Sequence, residues 1–238
     1  MAEKNKVAII TGGSAGIGYG IAESLLKEGY KVAITSRSEE RALEAADRLK
    51  VTDGGEVIGF GADVRSFEDQ QAVVQQVLNK WGQIDVFVAN AGVGHFANIE
   101  ELSIEKWHET IDTNLTGPFY SIKASMNALK ESKGYYITIS SLAGTNFFEG
   151  AAAYNASKFG LTGFTQAVML DLRNAGIRVT TIMPGSVATS FNDHQVNEAD
   201  AWKIQKEDIG QLVADLLNMN PRALPSKIEI RPSQPPKK

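Results

Sequence analysis

Residues 6–18 read KVAIITGGSAGIG. The apolar run before the glycines is too short for a helix and is typical of a buried strand in a parallel sheet. A helical pattern follows at once, with Ile21, Leu25 and Leu26 at its apolar positions and Gly29 at its end. This strand, glycine-rich turn and helix form the first unit of a pattern that continues along the chain.

Short apolar runs alternate with helical patterns throughout the rest of the sequence. Further strands are predicted at 31–35, 56–60, 84–89, 135–139, 177–183 and 227–231, and further helices at 39–50, 66–81, 104–131, 151–174 and 207–218. Gly117-Pro118 is expected to bend the longest helix. Such alternation with short connections predicts one α/β domain over residues 1–238, a doubly wound parallel sheet of seven strands with helices on both faces.

Composition narrows the classes of function. The 238 residues include 24 basic and 28 acidic side chains, which gives no electrostatic footprint for nucleic acid. No stretch is apolar enough to span a membrane or resembles a secretory leader. The absence of cysteine excludes disulfides and thiolate metal sites, and His95, His108 and His194 lack metal-ligand spacing. A cytoplasmic protein without a metal, membrane or nucleic-acid partner is expected.

The glycine-rich turn is the first candidate site, because ligands of such sheets bind beyond the carboxyl ends of the strands. Backbone amides at a helix N-terminus suit a pyrophosphate. The spacing of Gly12, Gly16 and Gly18 is neither the strict dinucleotide fingerprint nor a P-loop. A pyrophosphate-binding turn and a purely structural turn both remain open on this motif alone.

The same turn also satisfies the Gly-x-Ser-x-Gly pattern of a serine nucleophile. Ser14 would be the nucleophile, and Asp193 and His194 could complete the chain order of a hydrolase. The motif follows the first strand, however, so no earlier strand loop can supply the second oxyanion donor. A serine hydrolase is therefore the less favoured alternative.

The loop after the second strand suggests which nicotinamide cofactor is preferred. An NAD site commonly places a carboxylate there to bind the ribose 2′-hydroxyl. This chain has Ser36 and Arg37 instead, and a cation suits a 2′-phosphate. The third loop offers Asp63 to an adenine amino group and Val64 to the ring. NADP(H) is accordingly favoured over NAD(H).

A tyrosine and a lysine lie four residues apart near the start of the predicted helix 151–174. Tyr154 and Lys158 therefore share one helix face. Lowering a phenol pKa from about 10 to about 7 takes about 4 kcal/mol. A charge about 4 Å away supplies about this much at an effective dielectric near 20. The spacing predicts that Lys158 lowers the pKa of Tyr154.

Together the loop residues resemble the short-chain dehydrogenase/reductase family over residues 6–190. The motifs that carry the resemblance are Thr11-Gly12-x-x-x-Gly16-x-Gly18, Asn90-Ala91-Gly92, Asn114, Ser141, Tyr154-x-x-x-Lys158 and Pro184-Gly185. The resemblance implies a Rossmann-like fold and a catalytic set in which Tyr154 is the general acid or base. In that set Lys158 tunes Tyr154 and holds the nicotinamide ribose, Ser141 polarises the carbonyl, and Asn114 anchors a proton-relay water.

The resemblance also implies how the cofactor is held. The turn, the adenosine-binding loops and the segment after the sixth strand would contact it. The expected residues are Gly12, Ser14, Gly16, Ile17, Gly18, Arg37, Asp63, Val64, Asn90, Ala91, Gly92, Tyr154, Lys158, Pro184, Gly185, Val187 and Thr189. The chain departs from the family pattern at Ala15, where NADP-preferring members often have a basic residue, and it lacks the glycine-rich C-terminal segment of many members.

The substrate is expected to lie against aromatic residues and beneath a lid at about 187–205, with a disordered tail at about 232–238. Candidate contacts are His95, Phe147, Phe148 and Phe191, beside Gly94, Phe96 and Glu149. The expected reaction is hydride transfer between the nicotinamide and a ketone, an aldehyde or a secondary alcohol, with a 3-oxoacyl compound as one option. The alternative from another class is an NADP(H) sensor without turnover. Helices 104–131 and 151–174 are expected to form a homodimer or homotetramer.

Overall fold

Seven parallel strands form one sheet in the order β3-β2-β1-β4-β5-β6-β7. The computed structural model describes residues 5–53 and 55–234. The strands are β1 (Val7–Thr11), β2 (Lys31–Ser36), β3 (Val57–Gly61), β4 (Val86–Ala89), β5 (Tyr135–Ile139), β6 (Arg178–Pro184) and β7 (Lys227–Ile230). The helices are α1 (Gly16–Lys27), α2 (Glu39–Asp53), α3 (Phe67–Trp81), α4 (Ile104–Ile111), α5 (Gly117–Ser132), α6 (Ala152–Leu172) and α7 (Lys206–Asn218). The predicted doubly wound parallel sheet is confirmed.

Two hydrophobic cores lie on opposite faces of the sheet, because successive strand residues point to opposite sides. In β1, Ala8 and Ile10 pack with α1, α2 and α7, whereas Val7 and Ile9 pack with α3, α5 and α6. Every β1 residue is buried, as expected for a strand with helices on both faces. The sheet is thereby a rigid base for the loops at its carboxyl edge.

The strand order reverses between β1 and β4, and the loops that leave these two strands are tied together. The Thr11 hydroxyl accepts hydrogen bonds from the backbone N–H groups of Asn90 and Ala91 at 3.0 and 3.1 Å. The Asn90 amide donates to the carbonyls of Thr11 and Gly12 at 2.9 and 3.2 Å. This is the crevice in which ligands of doubly wound sheets bind.

The long helix predicted at 104–131 is interrupted one turn before the expected position. Between α4 and α5 the chain makes a π-helical turn at 112–116. Gly117 and Pro118 begin α5, because proline fits the first turn, where no N–H partner is needed. The bend expected at Gly117-Pro118 stays a prediction, and the change in helix type lies directly before these two residues.

The segment that leads from β6 to α7 contains no long helix or strand. A bridge pairs Val187 with Ile204 and returns the segment to the sheet edge. Of the predicted tail, residues 232–234 are part of the described chain, and the remainder lies outside the described residues. Within the described ranges, no helix combines the length and apolar character needed to cross a membrane.

Candidate active site

A cavity of about 1050 Å³ lies beyond the carboxyl ends of the strands. Loops that follow β1 through β6 all contribute to its wall. Its volume is at the upper end of the range for small-molecule sites, so it can hold a dinucleotide and a further molecule. The sequence-predicted residues on its wall are Gly12, Gly16, Ile17, Arg37, Asp63, Val64, Asn90, Ala91, Gly92, Ser141, Phe148, Tyr154, Lys158, Pro184, Gly185, Val187, Thr189 and Phe191.

The glycine-rich turn brings bare backbone to the cavity. Gly12 has a φ of +64°, and an added Cβ would lie 3.0 Å from the Cα of Ala91. Gly16 has a φ of +55°, and its Cβ would lie 3.4 Å from the side chain of Thr189. In the described chain no side chain caps the N-terminus of α1, which Ala15 precedes. Open amides and the helix dipole at this end suit a pyrophosphate, so the turn fits a dinucleotide cofactor.

Two residues predicted to touch the cofactor are not part of the described cavity wall. Gly18 packs so closely that an added Cβ would lie 2.5 Å from both the Asn90 amide nitrogen and the Gly12 carbonyl oxygen. Gly18 therefore sets the distance between α1 and the β4 loop. Ser14 is likewise absent from the described cavity wall.

Arginines flank the adenosine end of the cavity. Asp63, predicted to meet an adenine amino group, is bound through both carboxylate oxygens by Arg65, at 2.6 Å in the shortest contact. This guanidinium lowers the pKa of the Asp63 carboxyl. Arg37 lines the cavity but lies 3.3 Å from the carboxylate of Glu109. Both predicted ligands of the adenosine half already have protein partners.

Tyr154 stands at the other end of the cavity, enclosed by aromatic rings. Its ring centroid lies 5.3 Å from that of Phe96 and 6.0 Å from that of Phe191. This burial raises the pKa of the phenol, and the hydrogen bond from Ser141 only partly opposes the shift. The direction is opposite to the lowering that the spacing of Tyr154 and Lys158 predicts, because burial disfavours the charged phenolate.

Lys158 lies beneath the phenol and is almost fully buried. Its side chain is 5% exposed, and its ammonium donates to the Ile139 carbonyl at 3.0 Å. The ammonium is 5.7 Å from the Tyr154 ring centroid. Burial lowers the pKa of Lys158 to about 8. Below this pH the cavity floor carries a positive charge beside Tyr154.

Asn114 lies in the π-helical turn, 1% exposed and off the described cavity wall. Its amide donates to the Val93 carbonyl at 2.8 Å and to the Ser157 hydroxyl at 3.0 Å. Its oxygen accepts from the Val93 N–H at 2.8 Å. The side chain therefore joins the β4 loop to α6, and the water predicted at Asn114 would have to bind elsewhere on this residue.

The predicted substrate residues divide into two groups. Phe148 and Phe191 line the cavity, and Phe148 stacks against Phe96 with ring centroids 6.0 Å apart. His95 turns away from the cavity, with its Nε2 2.8 Å from Glu109. Phe147 is 85% exposed. Neither His95 nor Phe147 is part of the described cavity wall, so their contact with the substrate stays a prediction.

An ionic cluster lies within the segment that is predicted to form the lid. The buried carboxylate of Asp200 lies 2.6 Å from both His194 Nε2 and Lys203 Nζ, and it accepts from the Asn197 N–H at 3.1 Å. These contacts hold the pKa of Asp200 well below its usual range. His194 and Lys203 line the cavity as well, so the cluster connects the lid to the ligand space.

The comparisons with known proteins agree with this geometry. The model of the short chain dehydrogenase family matches residues 6–200. The chain belongs to this family. It is 33% identical to an uncharacterized oxidoreductase of Staphylococcus saprophyticus over 96% of this chain and 98% of that protein. It is 35% identical to a 3-oxoacyl-[acyl-carrier-protein] reductase of Synechocystis over 79% of this chain and 77% of that protein.

The same likeness holds in three dimensions. This short-chain dehydrogenase superposes with a TM-score of 0.91 on an alcohol dehydrogenase of Thermococcus sibiricus complexed with 5-hydroxy-NADP, at 30% identity. The match covers 99% of this chain and 100% of that chain. The short-chain dehydrogenase described here is an NAD(P)-dependent oxidoreductase, and its glycine-rich turn fits the nicotinamide dinucleotide that this class uses.

The described residues of this short-chain dehydrogenase do not assemble the alternative hydrolase site. His194 is engaged by Asp200 rather than by Ser14. The side chain of Asp193, the acid of the hydrolase alternative, lies outside the described residues. In the described chain the turn around Ser14 presents backbone groups to the cavity. The match to the Gly-x-Ser-x-Gly pattern therefore follows from the spacing of the glycines and does not indicate a nucleophile.

Three residues that shape the site of this short-chain dehydrogenase are not predicted from its sequence. Arg65 and Glu109 contact the predicted adenosine ligands. Asn155 donates to the carbonyls of Ala143 and Asn146 at 2.7 and 2.8 Å and thereby holds the loop that carries Phe148. Arg65, two residues after Asp63, could have been found from its spacing alone. Glu109 and Asn155 carried no signal, because their partners come from other loops.

Proposed function

We propose that this short-chain dehydrogenase transfers hydride between NADP(H) and a ketone, an aldehyde or a secondary alcohol, with Tyr154 as the general acid or base. The observation that carries the proposal is that Ser141, Tyr154 and Lys158 share one cavity with the glycine cradle of α1. The cofactor supplies the hydride when it is bound. The residues of the chain would then hold the carbonyl and move the proton.

Tyr154 would act as the general acid when a carbonyl is reduced and as the general base when an alcohol is oxidised. A phenol with a raised pKa keeps its proton at neutral pH and can donate it to a carbonyl oxygen. The Ser141 hydroxyl, which lines the same cavity, would donate its one O–H to the carbonyl oxygen when the substrate is bound. As the proton leaves Tyr154, the charge of Lys158 would stabilise the phenolate.

The adenosine end supports NADP(H) as the preferred cofactor. Ser36 and Arg37 line the cavity where β2 ends. These two wall residues at the end of β2 do not include the carboxylate that an NAD site commonly places there. Arg37 is 62% exposed and can reorient toward that group. The Thermococcus enzyme is complexed with 5-hydroxy-NADP, an NADP-type ligand, which is consistent with the proposal.

Arg37→Ala is expected to weaken NADPH binding about 10- to 100-fold, the usual value of a charge-assisted contact. NADH binding should change less than about twofold, because NADH has no 2′-phosphate. Titration monitored by tryptophan fluorescence measures both constants, since Trp202 lines the cavity. Arg41→Ala, a nearby exposed arginine off the described wall, is the control. Equal losses for both cofactors would contradict the role of Arg37.

The walls around Tyr154 favour a substrate with an apolar part. Phe96, Phe148 and Phe191 line that end of the cavity. The Synechocystis relative is named for reduction of a 3-oxoacyl group, which has a ketone beside an acyl chain. A 3-oxoacyl thioester is therefore the first substrate to test, and aromatic packing along the acyl chain would provide its binding energy.

A homodimer through α6 is the proposed assembly. One face of this helix is exposed at regular helical spacing, and all of its residues are small or apolar. These residues are Ala152, Ala156, Phe159, Gly163, Ala167 and Leu170. An uncharged stripe of this kind on an otherwise charged protein is typical of a subunit interface.

Leu170→Glu is expected to shift the assembly to monomer, because a charge in a closely packed apolar interface cannot be solvated. Sedimentation velocity at micromolar concentration measures the change. Glu131→Gln, outside this face on α5, should leave the assembly intact. A wild-type protein that sediments as a monomer would refute the interface directly.

A further inference from the structure

Glu109 on α4 connects the adenosine end of the cavity to the loop after β4. One carboxylate oxygen lies 3.3 Å from Arg37 Nη1, and the other lies 2.8 Å from His95 Nε2. His95 and the charges of Arg37 and Arg65 all lower the pKa of the Glu109 carboxyl. Glu109 is thus an anion held beside the arginine that would bind the cofactor phosphate.

We propose that Glu109 is a specificity-determining residue that competes with the 2′-phosphate of NADP(H) for Arg37. This inference rests on the proposed preference for NADP(H). An anion already paired with Arg37 must be displaced, or share the guanidinium, when the phosphate binds. Its negative charge also repels the phosphate. Glu109 lowers affinity for NADP(H) and leaves affinity for NAD(H) unchanged.

The contact with His95 is what makes the competition effective. A single ion pair at the surface is worth little, because two long side chains must be ordered and water screens their charges. Here His95 already fixes the carboxylate, whose side chain is only 31% exposed. The carboxylate therefore remains near Arg37 instead of rotating into solvent. The Glu109 side chain has therefore already lost its conformational entropy before the cofactor binds.

The test removes the charge and keeps the shape. Glu109→Gln is expected to tighten NADPH binding about 3- to 10-fold, from loss of the ion pair and of the repulsion. NADH binding should change less than about twofold, since its ribose carries no phosphate. Fluorescence titration with NADPH and NADH measures the two dissociation constants. Glu105→Gln, one turn earlier on α4, is the matched control with no expected effect on either.

The ratio of the two constants separates this role from a structural one, because a loosened fold would weaken both cofactors alike. In an Arg37→Ala background, Glu109→Gln should no longer tighten NADPH binding. If Arg37→Ala weakens NADPH but Glu109→Gln leaves it unchanged, the competition is refuted and the proposed function stands. If Arg37→Ala has no selective effect, the cofactor preference itself fails and the inference fails with it. Glu109→Ser provides a second neutral variant, should the glutamine variant fold poorly.

Discussion

Tyr154→Phe is expected to lower kcat/KM for carbonyl reduction by about 10³-fold, within the range for loss of a general acid. The phenylalanine ring fills the same space between Phe96 and Phe191, and only the proton donor is lost. NADPH affinity should stay within about threefold of wild type, because the pyrophosphate and adenosine contacts lie at the other end of the cavity. Steady-state kinetics with a 3-oxoacyl thioester, together with fluorescence titration, measures both quantities.

Tyr120→Phe is the matched control for this substitution. Tyr120 lies on α5, packs against Phe67 and Phe119, and is absent from the described cavity wall. Its variant should keep wild-type kinetics. Undiminished turnover in Tyr154→Phe would refute the assigned role of the phenol. A wild-type protein that binds NADPH and reduces no carbonyl compound would instead favour the sensor hypothesis.

Lys158→Met is expected to lower kcat about 100-fold or more and to raise stability at neutral pH. The lost charge no longer stabilises a phenolate at Tyr154. The buried ammonium also destabilises the fold, since its pKa drops from an ordinary value of 10.5 to about 8. That drop corresponds to a destabilisation of the wild type by about 3 kcal/mol, which the variant no longer has. The variant also loses the hydrogen bond to Ile139, which offsets about 1 kcal/mol of this gain. Urea unfolding should show the variant more stable by about 1–3 kcal/mol.

The pH dependence of this gain follows from proton binding. Between pH 8 and 10.5 the unfolded state keeps the Lys158 proton while the folded state has lost it. The free energy of unfolding of the wild type therefore increases as pH rises through this window, relative to that of the variant. The difference between the two proteins should be largest below about pH 8 and shrink toward zero near pH 10.5. A constant difference would show that packing, rather than desolvated charge, explains the stabilisation.

The sheet could be predicted from the sequence because its signals are local. The run of apolar residues in β1 and the helical spacing after it depend on neighbours within about one turn or strand. The wall of the cavity followed from topology, since the carboxyl ends of parallel strands meet at one edge. Gly12 and Arg37 were placed on that wall by this argument alone.

The orientation of loop side chains could not be predicted in this way. His95 was expected to face the substrate, yet it pairs with Glu109, which lies 14 residues later on a different element. The sequence predicts a lowered pKa for Tyr154 because it shows the lysine four residues away. It does not show the rings of Phe96 and Phe191, which exclude water from the phenol. Burial depends on residues distant in the chain, and no spacing rule reports it.

Because of the π-helical turn at 112–116, the direction in which the α4 side chains point depends on the number of residues in this helical stretch. A π-turn contains one more residue than the α-helix around it, and each residue of an α-helix rotates the chain by about 100°. Loss of one residue there would let α4 and α5 merge into a regular helix and turn every α4 side chain about a quarter of the way around the axis. Glu109 would then face away from Arg37, and His95 would lose its anchor. This stretch can exchange side chains far more readily than it can change its residue count.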